Sequence, residues 1–185
     1  LTLVGDVATS NNKIKYSSTS IVYANDNRQV QYTYPSGISG DFTVEFWINP
    51  DSVDSSQGDN ILEVVSGTGL IFDIGGANNV NRQRVWLDGT NIITGTTNGY
   101  ATDEWSHVAI TRSSNTVRLF KNGTLVGSSS NQSATLSGQQ RIGGIAASRY
   151  FDGNIEGFQV VSAAKYTANF TAPTKEQGRL YQAES

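Results

Sequence analysis

The feature that most constrains this chain is a two-residue rhythm of apolar side chains that never gives way to a helical one. In Phe42-Thr43-Val44-Glu45-Phe46-Trp47-Ile48 one face carries Phe42, Val44, Phe46 and Ile48. The other face carries Thr43, Glu45 and Trp47. Successive strand side chains point to opposite sides, so this pattern predicts a strand with one face in a core. Trp105 to Arg112 predicts a second strand, with Val108 and Ile110 on one side. Thr116–Lys121 and Thr124–Gly127 flank Asn122-Gly123, the preferred two-residue hairpin turn, because both positions tolerate positive φ. Further strands are expected near 20–24, 29–34, 60–66, 69–74, 83–88, 91–95, 139–143 and 153–161, several bounded by Asp88-Gly89, Asn98-Gly99 or Asp152-Gly153. The nearest approach to a helix is one short turn at Ala163–Tyr166. Many short strands at this spacing predict an all-β, two-sheet antiparallel jelly-roll sandwich.

Composition agrees with that architecture. Only 16% of the 185 residues are charged and 37% are hydrophobic. Ser, Thr, Asn and Gln supply the remaining polarity, as suits strands that each bury one face. The length supports one core, placed in residues 1–173, with 174–185 as a polar tail or linker. A net charge of −3 gives no electrostatic footprint for nucleic acid or an anionic membrane. No stretch reaches the roughly 18 apolar residues of a membrane span. The chain starts at Leu1, which suggests an excised domain or processed product. It has no cysteine and a single histidine, His107. These exclude disulfides, thiolate chemistry and any site that needs two imidazoles.

Three blocks carry a family resemblance: Gly40-Asp41-Phe42 to Ile48; Glu104-Trp105-Ser106-His107-Val108-Ala109-Ile110-Thr111-Arg112 with its Lys-Asn-Gly hairpin; and Phe151-Asp152-Gly153-Asn154-Ile155-Glu156-Gly157-Phe158. Their order resembles the laminin-G-like branch of the concanavalin A-like lectin/glucanase superfamily, over about residues 20 to 173. The segment Ala163-Ala164-Lys165-Tyr166-Thr167-Ala168-Asn169-Phe170-Thr171-Ala172-Pro173 is similar to the closing segment of such domains in structural and tail-fibre proteins of marine bacteriophages. The resemblance implies a virion component, with host surface glycans or other virion proteins as partners, and an oligomer formed through the parent protein.

A retaining glycosidase needs two carboxyl groups about 5 Å apart. No strand here carries two at alternate positions, and Asp51, Asp54 and Asp59 read as solvated turn residues. His107 reads as a framework residue. A non-enzymatic domain is therefore expected. A glycan site needs an aromatic platform with amide, carboxylate or guanidinium groups around it. Trp86 is one candidate, since Val85 and Leu87 face the other way. Tyr100, Arg149, Tyr150 and Asp152 are loop-borne and could gather at one end. The alternative for each ring is ordinary packing. Asn122, Asn131 and Asn169 head sequons, which would matter only in a secreted eukaryotic protein.

The resemblance also implies a possible Ca²⁺ site near the rim, using Asn25, Asp26 and Asn27 with Glu156. Glu156 stands where the family usually shows Asp, and Gly157 replaces a second acidic residue. The alternative is a plain loop and an exposed Glu. Three functions follow: a phage structural or adhesion domain with a weak glycan-binding surface at the virion surface; a purely architectural interaction module; or an extracellular carbohydrate-binding module attached to a secreted bacterial enzyme.

Overall fold

The computed structural model describes residues 2–4, 8–10, 12–16, 20–24, 29–76, 78–96, 99–144 and 149–174. Asn25, Asp26, Asn27 and the tail from residue 175 onward lie outside them. The described strands are β1 (Thr2–Val4), β2 (Ala8–Ser10), β3 (Ser20–Ala24), β4 (Gln29–Ile38), β5 (Phe42–Pro50), β6 (Asp59–Ser66), β7 (Leu70–Ile74), β8 (Gln83–Leu87), β9 (Thr90–Gly95), β10 (Ser106–Ser113), β11 (Thr116–Lys121), β12 (Thr124–Ser129), β13 (Leu136–Ile142) and β14 (Asp152–Val161). Sheet I has the order β1-β4-β13-β6-β7-β8-β9 and sheet II the order β12-β11-β10-β5-β14-β3-β2. Neighbouring strands in both sheets are antiparallel. This is the expected sandwich, and no described helix is long and apolar enough to cross a membrane.

The alternation of β5 becomes the core. Phe42, Val44, Phe46 and Ile48 are fully buried, and Val108, Ile110, Val117 and Leu119 join them from β10 and β11. Sheet I contributes Leu62, Leu70, Phe72, Ile74, Val85 and Leu87. The Phe46 ring meets Phe72 of the facing sheet edge-on at 6.0 Å and stacks on Phe158 of β14 at 6.0 Å. Each such side chain contributes on the order of 1.5–3 kcal/mol by leaving water.

Turn chemistry behaves as the residues dictate. Asn122 and Gly123 take φ of 49° and 79°, the left-handed pair that matches strand twist. Gly123 is needed twice over, because a Cβ there would lie 1.9 Å from the carbonyl oxygen of Phe170. Gly157 takes φ 65° where the β14–β5 register slips between Glu156 and Gln159. It is a bulge glycine, which accounts for the missing acidic residue at that position.

Three expectations are corrected. β1 and β2 were not foreseen, since three residues are too few to show a period. β4 continues through Pro35 to Ile38 rather than stopping at 34. Ala163–Tyr166 forms no helical turn. Its backbone bonds instead to side chains of sheet II: Thr43 Oγ1 donates to the Ala163 carbonyl at 2.7 Å and accepts from the Lys165 amide at 2.9 Å, and Thr111 Oγ1 donates to the Tyr166 carbonyl at 2.8 Å.

Candidate functional site

The two outer faces of the sandwich differ in one decisive respect. That of sheet II is closed by the chain itself. Thr43, Glu45, Trp47 and Asn49 point outward from β5, and each is buried. The segment 162–174 runs across them: Tyr166 and Phe170 stack at 3.5 Å, Phe170 meets the rings of Phe120 and His107, and the Phe170 amide bonds to the Gly123 carbonyl at 2.9 Å. At the other end, Lys15 and Tyr16 cover Trp47, with Lys15 Nζ 4.8 Å from a Trp47 ring centre and Tyr16 edge-on at 5.5 Å.

Glu45 is the centre of the closed face. Its Oε1 holds the Lys165 ammonium, and its Oε2 accepts from Tyr166 at 2.9 Å and lies 3.3 Å from His107 Nε2. Burial alone would raise its pKa, but hydrogen bonds from His107, Lys165 and Tyr166 outweigh that and hold it below the usual glutamate range. Glu45 and His107 are each 1% exposed, so this acid–imidazole pair lies beneath the 162–174 segment.

Glu156 is likewise turned inward rather than exposed. Its two carboxylate oxygens accept the backbone amides of Lys15 and Tyr16, each at 2.7 Å. Calcium takes six to eight oxygens. Among the described residues no group of three or more acidic or histidine side chains is placed to hold a metal, and Asn25, Asp26 and Asn27 lie outside them.

The acidic residues of the 51–59 loop also separate. Asp54 Oδ1 accepts from the Ser56 amide and hydroxyl and from the Gln57 amide, and these bonds hold it below the usual aspartate range. Asp59 departs from the expectation of a solvated turn: it opens β6, is 4% exposed, and burial pushes its pKa up to about 6, with the carboxylates of Asp54, Asp152 and Asp73 adding to the effect.

The outer face of sheet I carries a polar cluster centred on Asp73, which is 1% exposed. Val85 and Leu87 enter the core while Trp86 turns outward, half-buried. Trp86 Nε1 donates to Asp73 Oδ2 at 3.2 Å. Arg84 forks onto the same carboxylate, at 2.8 and 2.9 Å, and its guanidinium carbon stands 5.2 Å from the Trp86 ring centre. Asp73 lies opposite Asn60 in the β6–β7 register, and Asn60 bridges to Tyr150. The Asn60 amide also donates to the Arg149 carbonyl at 3.3 Å. Trp86 and the adjacent pair Arg149-Tyr150, more than sixty residues apart in sequence, are thus joined through Asp73 and Asn60 across β8, β7 and β6.

Of the other two glycan candidates, Tyr100 is buried and Asp152 belongs to the neighbouring sheet. Tyr100 is not a platform. It is 4% exposed, meets Phe72 edge-on at 6.3 Å and donates its hydroxyl to Gln83 at 3.1 Å. Burial pushes its phenol up, and the Lys121 ammonium sits 4.7 Å from its ring. A tyrosine after a Gly turn can equally be a core lid, and only the contact with Phe72 distinguishes them. Asp152 stands at the start of β14, in sheet II, accepting from Ser52 Oγ at 3.1 Å. Conversely, Asp73, Arg82 and Arg84 escaped notice. The spacing Arg82-x-Arg84-x-Trp86 was a legible signal, since alternate residues of a strand share a face. The role of Asp73 depended on strand pairing.

Geometry of this kind, a two-sheet antiparallel jelly roll with one self-covered and one polar outer face, defines a lectin-like sandwich. Residues 18–168 match the family profile described as the concanavalin A-like lectin/glucanases superfamily, and the chain belongs to it. No curated protein sequence matches the chain. Among solved structures it is similar to a proposed carbohydrate binding protein from Bacteroides ovatus, at 22% identity and TM-score 0.64, covering 78% of this chain and 44% of that one. It is also similar to domain 4 of an extracellular arabinanase from Geobacillus stearothermophilus, solved with arabinotriose, at 16% identity and TM-score 0.66, covering 87% and 77%. A third is botulinum neurotoxin type C, whose cell entry depends on two ganglioside molecules, at 17% identity and TM-score 0.66, covering 88% and 43%. At these identities the likeness is one of fold. The chain spans less than half of the Bacteroides and neurotoxin chains.

Proposed function

We propose that this domain binds glycans without chemistry of its own, through the outer face of sheet I around Trp86. The observation that carries the reading is the linkage of Trp86, Tyr150 and Arg149 with the Asp73–Arg84 pair on one polar face, while the opposite outer face is taken up by segments 12–16 and 162–174. An indole flanked by a carboxylate and guanidiniums is the arrangement that stacks on a sugar ring and fixes its hydroxyls. The fold neighbours solved with, or dependent on, sugars support the reading. A glycan array on wild type and Trp86→Ala tests it. Binding that the variant loses supports the proposal, and silence across the array sinks it.

The setting we propose is the virion surface of a bacteriophage, supported by the resemblance of 163–173 to phage closing segments. Copurification with virions checks this. A calcium ion held by Asn25, Asp26, Asn27 and Glu156 is proposed as a structural ion. A calcium-dependent rise in Tm that Asp26→Asn abolishes would support it, and identical melting with chelator would remove it.

A further inference from the structure

We propose that the glycan of this domain is a linear oligosaccharide about four sugar residues long, laid across the strands of sheet I from Trp86 to Gln31. The inference rests on the glycan-binding reading above and gives that ligand its length and direction.

Strand register sets the path. Trp86 lies opposite Ile71, Glu63 opposite Arg141, and Arg141 opposite Gln31. Leu62 pairs with Phe72, so Glu63 stands level with Ile71 across the antiparallel β6–β7 pair. Directly opposed residues of a ladder share a face. Gln31, Arg141, Glu63, Ile71 and Trp86 therefore form one row over β4, β13, β6, β7 and β8. Neighbouring strands lie about 4.8 Å apart, so the four steps span about 19 Å, the reach of roughly four linked sugar rings.

This row differs from its counterpart on sheet II in what water reaches. All five side chains are half-buried, whereas Thr43, Glu45, Trp47 and Asn49, the outward residues of β5, are buried. The chemistry changes along the row. Trp86 and Ile71 form an apolar end, turned outward because their neighbours Val85, Leu87, Leu70 and Phe72 fill the core. Asp73 holds the indole by its Nε1, which fixes the ring and leaves its face for stacking.

The far end is polar and incompletely paired. Glu63 Oε2 and Arg141 Nε stand 4.0 Å apart, beyond hydrogen-bond reach, and neither has a hydrogen-bond partner. Asn60 Oδ1, on the same strand as Glu63, is likewise without one. Native structures leave few buried polar atoms unpaired. The Glu63 and Arg141 side chains are 20% and 18% exposed, so a ligand can touch them. A sugar hydroxyl both donates and accepts, and one hydroxyl can take a bond from Arg141 and give one to Glu63. A mono- or disaccharide on Trp86 covers about one or two strand steps and stops short of Arg141. A chain of four reaches it.

The test is a length ladder, measured by calorimetric titration on the full chain. The probes are linear arabino-, galacto- and gluco-oligosaccharides of two to eight residues. In at least one ladder the tetramer should bind about tenfold or more tightly than the dimer, with less than about twofold further gain from five residues to eight. Arg141→Gln and, separately, Gln31→Ala should each cut the tetramer's advantage to about threefold or less, and Trp86→Ala should weaken every length. The ladder on the unmodified chain needs no variant, so a misfolded Arg141→Gln leaves the test intact. A dimer that binds as tightly as the octamer, a gain that continues undiminished to eight, or an advantage that survives both substitutions overturns this inference and leaves the glycan-binding reading standing. Binding to none of the ladders also overturns it, and silence across the glycan array as well overturns both.

Discussion

The phenol of Tyr166 donates to Oε2 of Glu45 at 2.9 Å, joining residues 121 positions apart and fastening the closing segment onto sheet II. The same carboxylate takes the Lys165 ammonium, so a single buried acid anchors two successive side chains of a segment that has no secondary structure of its own. Removing one partner of a buried charged cluster leaves the others unpaired. Glu45→Ala should therefore cost about 3 kcal/mol of unfolding free energy, and Tyr166→Phe about 1 kcal/mol. Urea denaturation measures both. If Glu45→Ala melts like wild type, the anchor is not what holds the segment.

Acid should act on this protein through two carboxylates with opposite signs. Glu45 is held below the usual range when folded, so its contribution is present above the unfolded glutamate pKa of about 4.3 and is lost as pH falls through the depressed folded value. Asp59 is pushed up to about 6, so its contribution is present below the unfolded value of about 3.9 and is lost as pH rises through 6. Between pH 4 and 7 the Asp59 effect amounts to about 2–3 kcal/mol. Asp59→Asn, whose amide oxygen can still accept from the Asp54 amide, should flatten the stability profile over that window. An unchanged slope in the variant would show that Asp59 is not its source.

Arg112 is fully buried without a carboxylate partner among the described residues. It donates Nε to the Gly40 carbonyl at 2.9 Å, Nη1 to Ala134 at 2.5 Å and Gln132 at 3.4 Å, and Nη2 to Ile38 at 3.3 Å. A planar fork with five donors can staple the 38–40 and 132–134 segments, and a lysine with one ammonium cannot. Arg112→Lys should cost about 2–4 kcal/mol, with hydrogen exchange rising first at those two segments. Exchange that rises uniformly would contradict the staple.

Trp86 and Tyr100 make a matched pair for separating binding from stability. Trp86→Ala should lose glycan binding with a small change in Tm, because the ring is outward. Tyr100→Phe should cost about 1 kcal/mol through the lost bond to Gln83, yet leave binding unaltered. The reverse pattern would return Tyr100 to the site.

The alternation of Phe42–Ile48, the Asn122-Gly123 turn and the three ordered blocks contain enough local physics to place most strands and to name the superfamily. A period of two and a positive-φ turn are properties of neighbouring residues, and neighbours are visible in a sequence. Trp86 was legible for the same reason, since Val85 and Leu87 force it outward. The site as a whole was not. Asp73 meets Arg84 and Trp86 only because β7 pairs with β8 in one register, and Arg149 comes near Arg82 only because Asn60 bridges to Tyr150. Tyr100 was read as a loop-borne ring, Asp59 as a solvated turn residue and Glu156 as a calcium ligand or else an exposed Glu; packing on Phe72 and burial place the first two inward, and two backbone amides hold Glu156. The sequence determined which way each side chain leaves its strand. Tertiary structure decided how one outer face is covered, because Glu45 and Trp47 lie under segments more than a hundred and about thirty residues away, and nothing within β5 itself specifies what will lie across it.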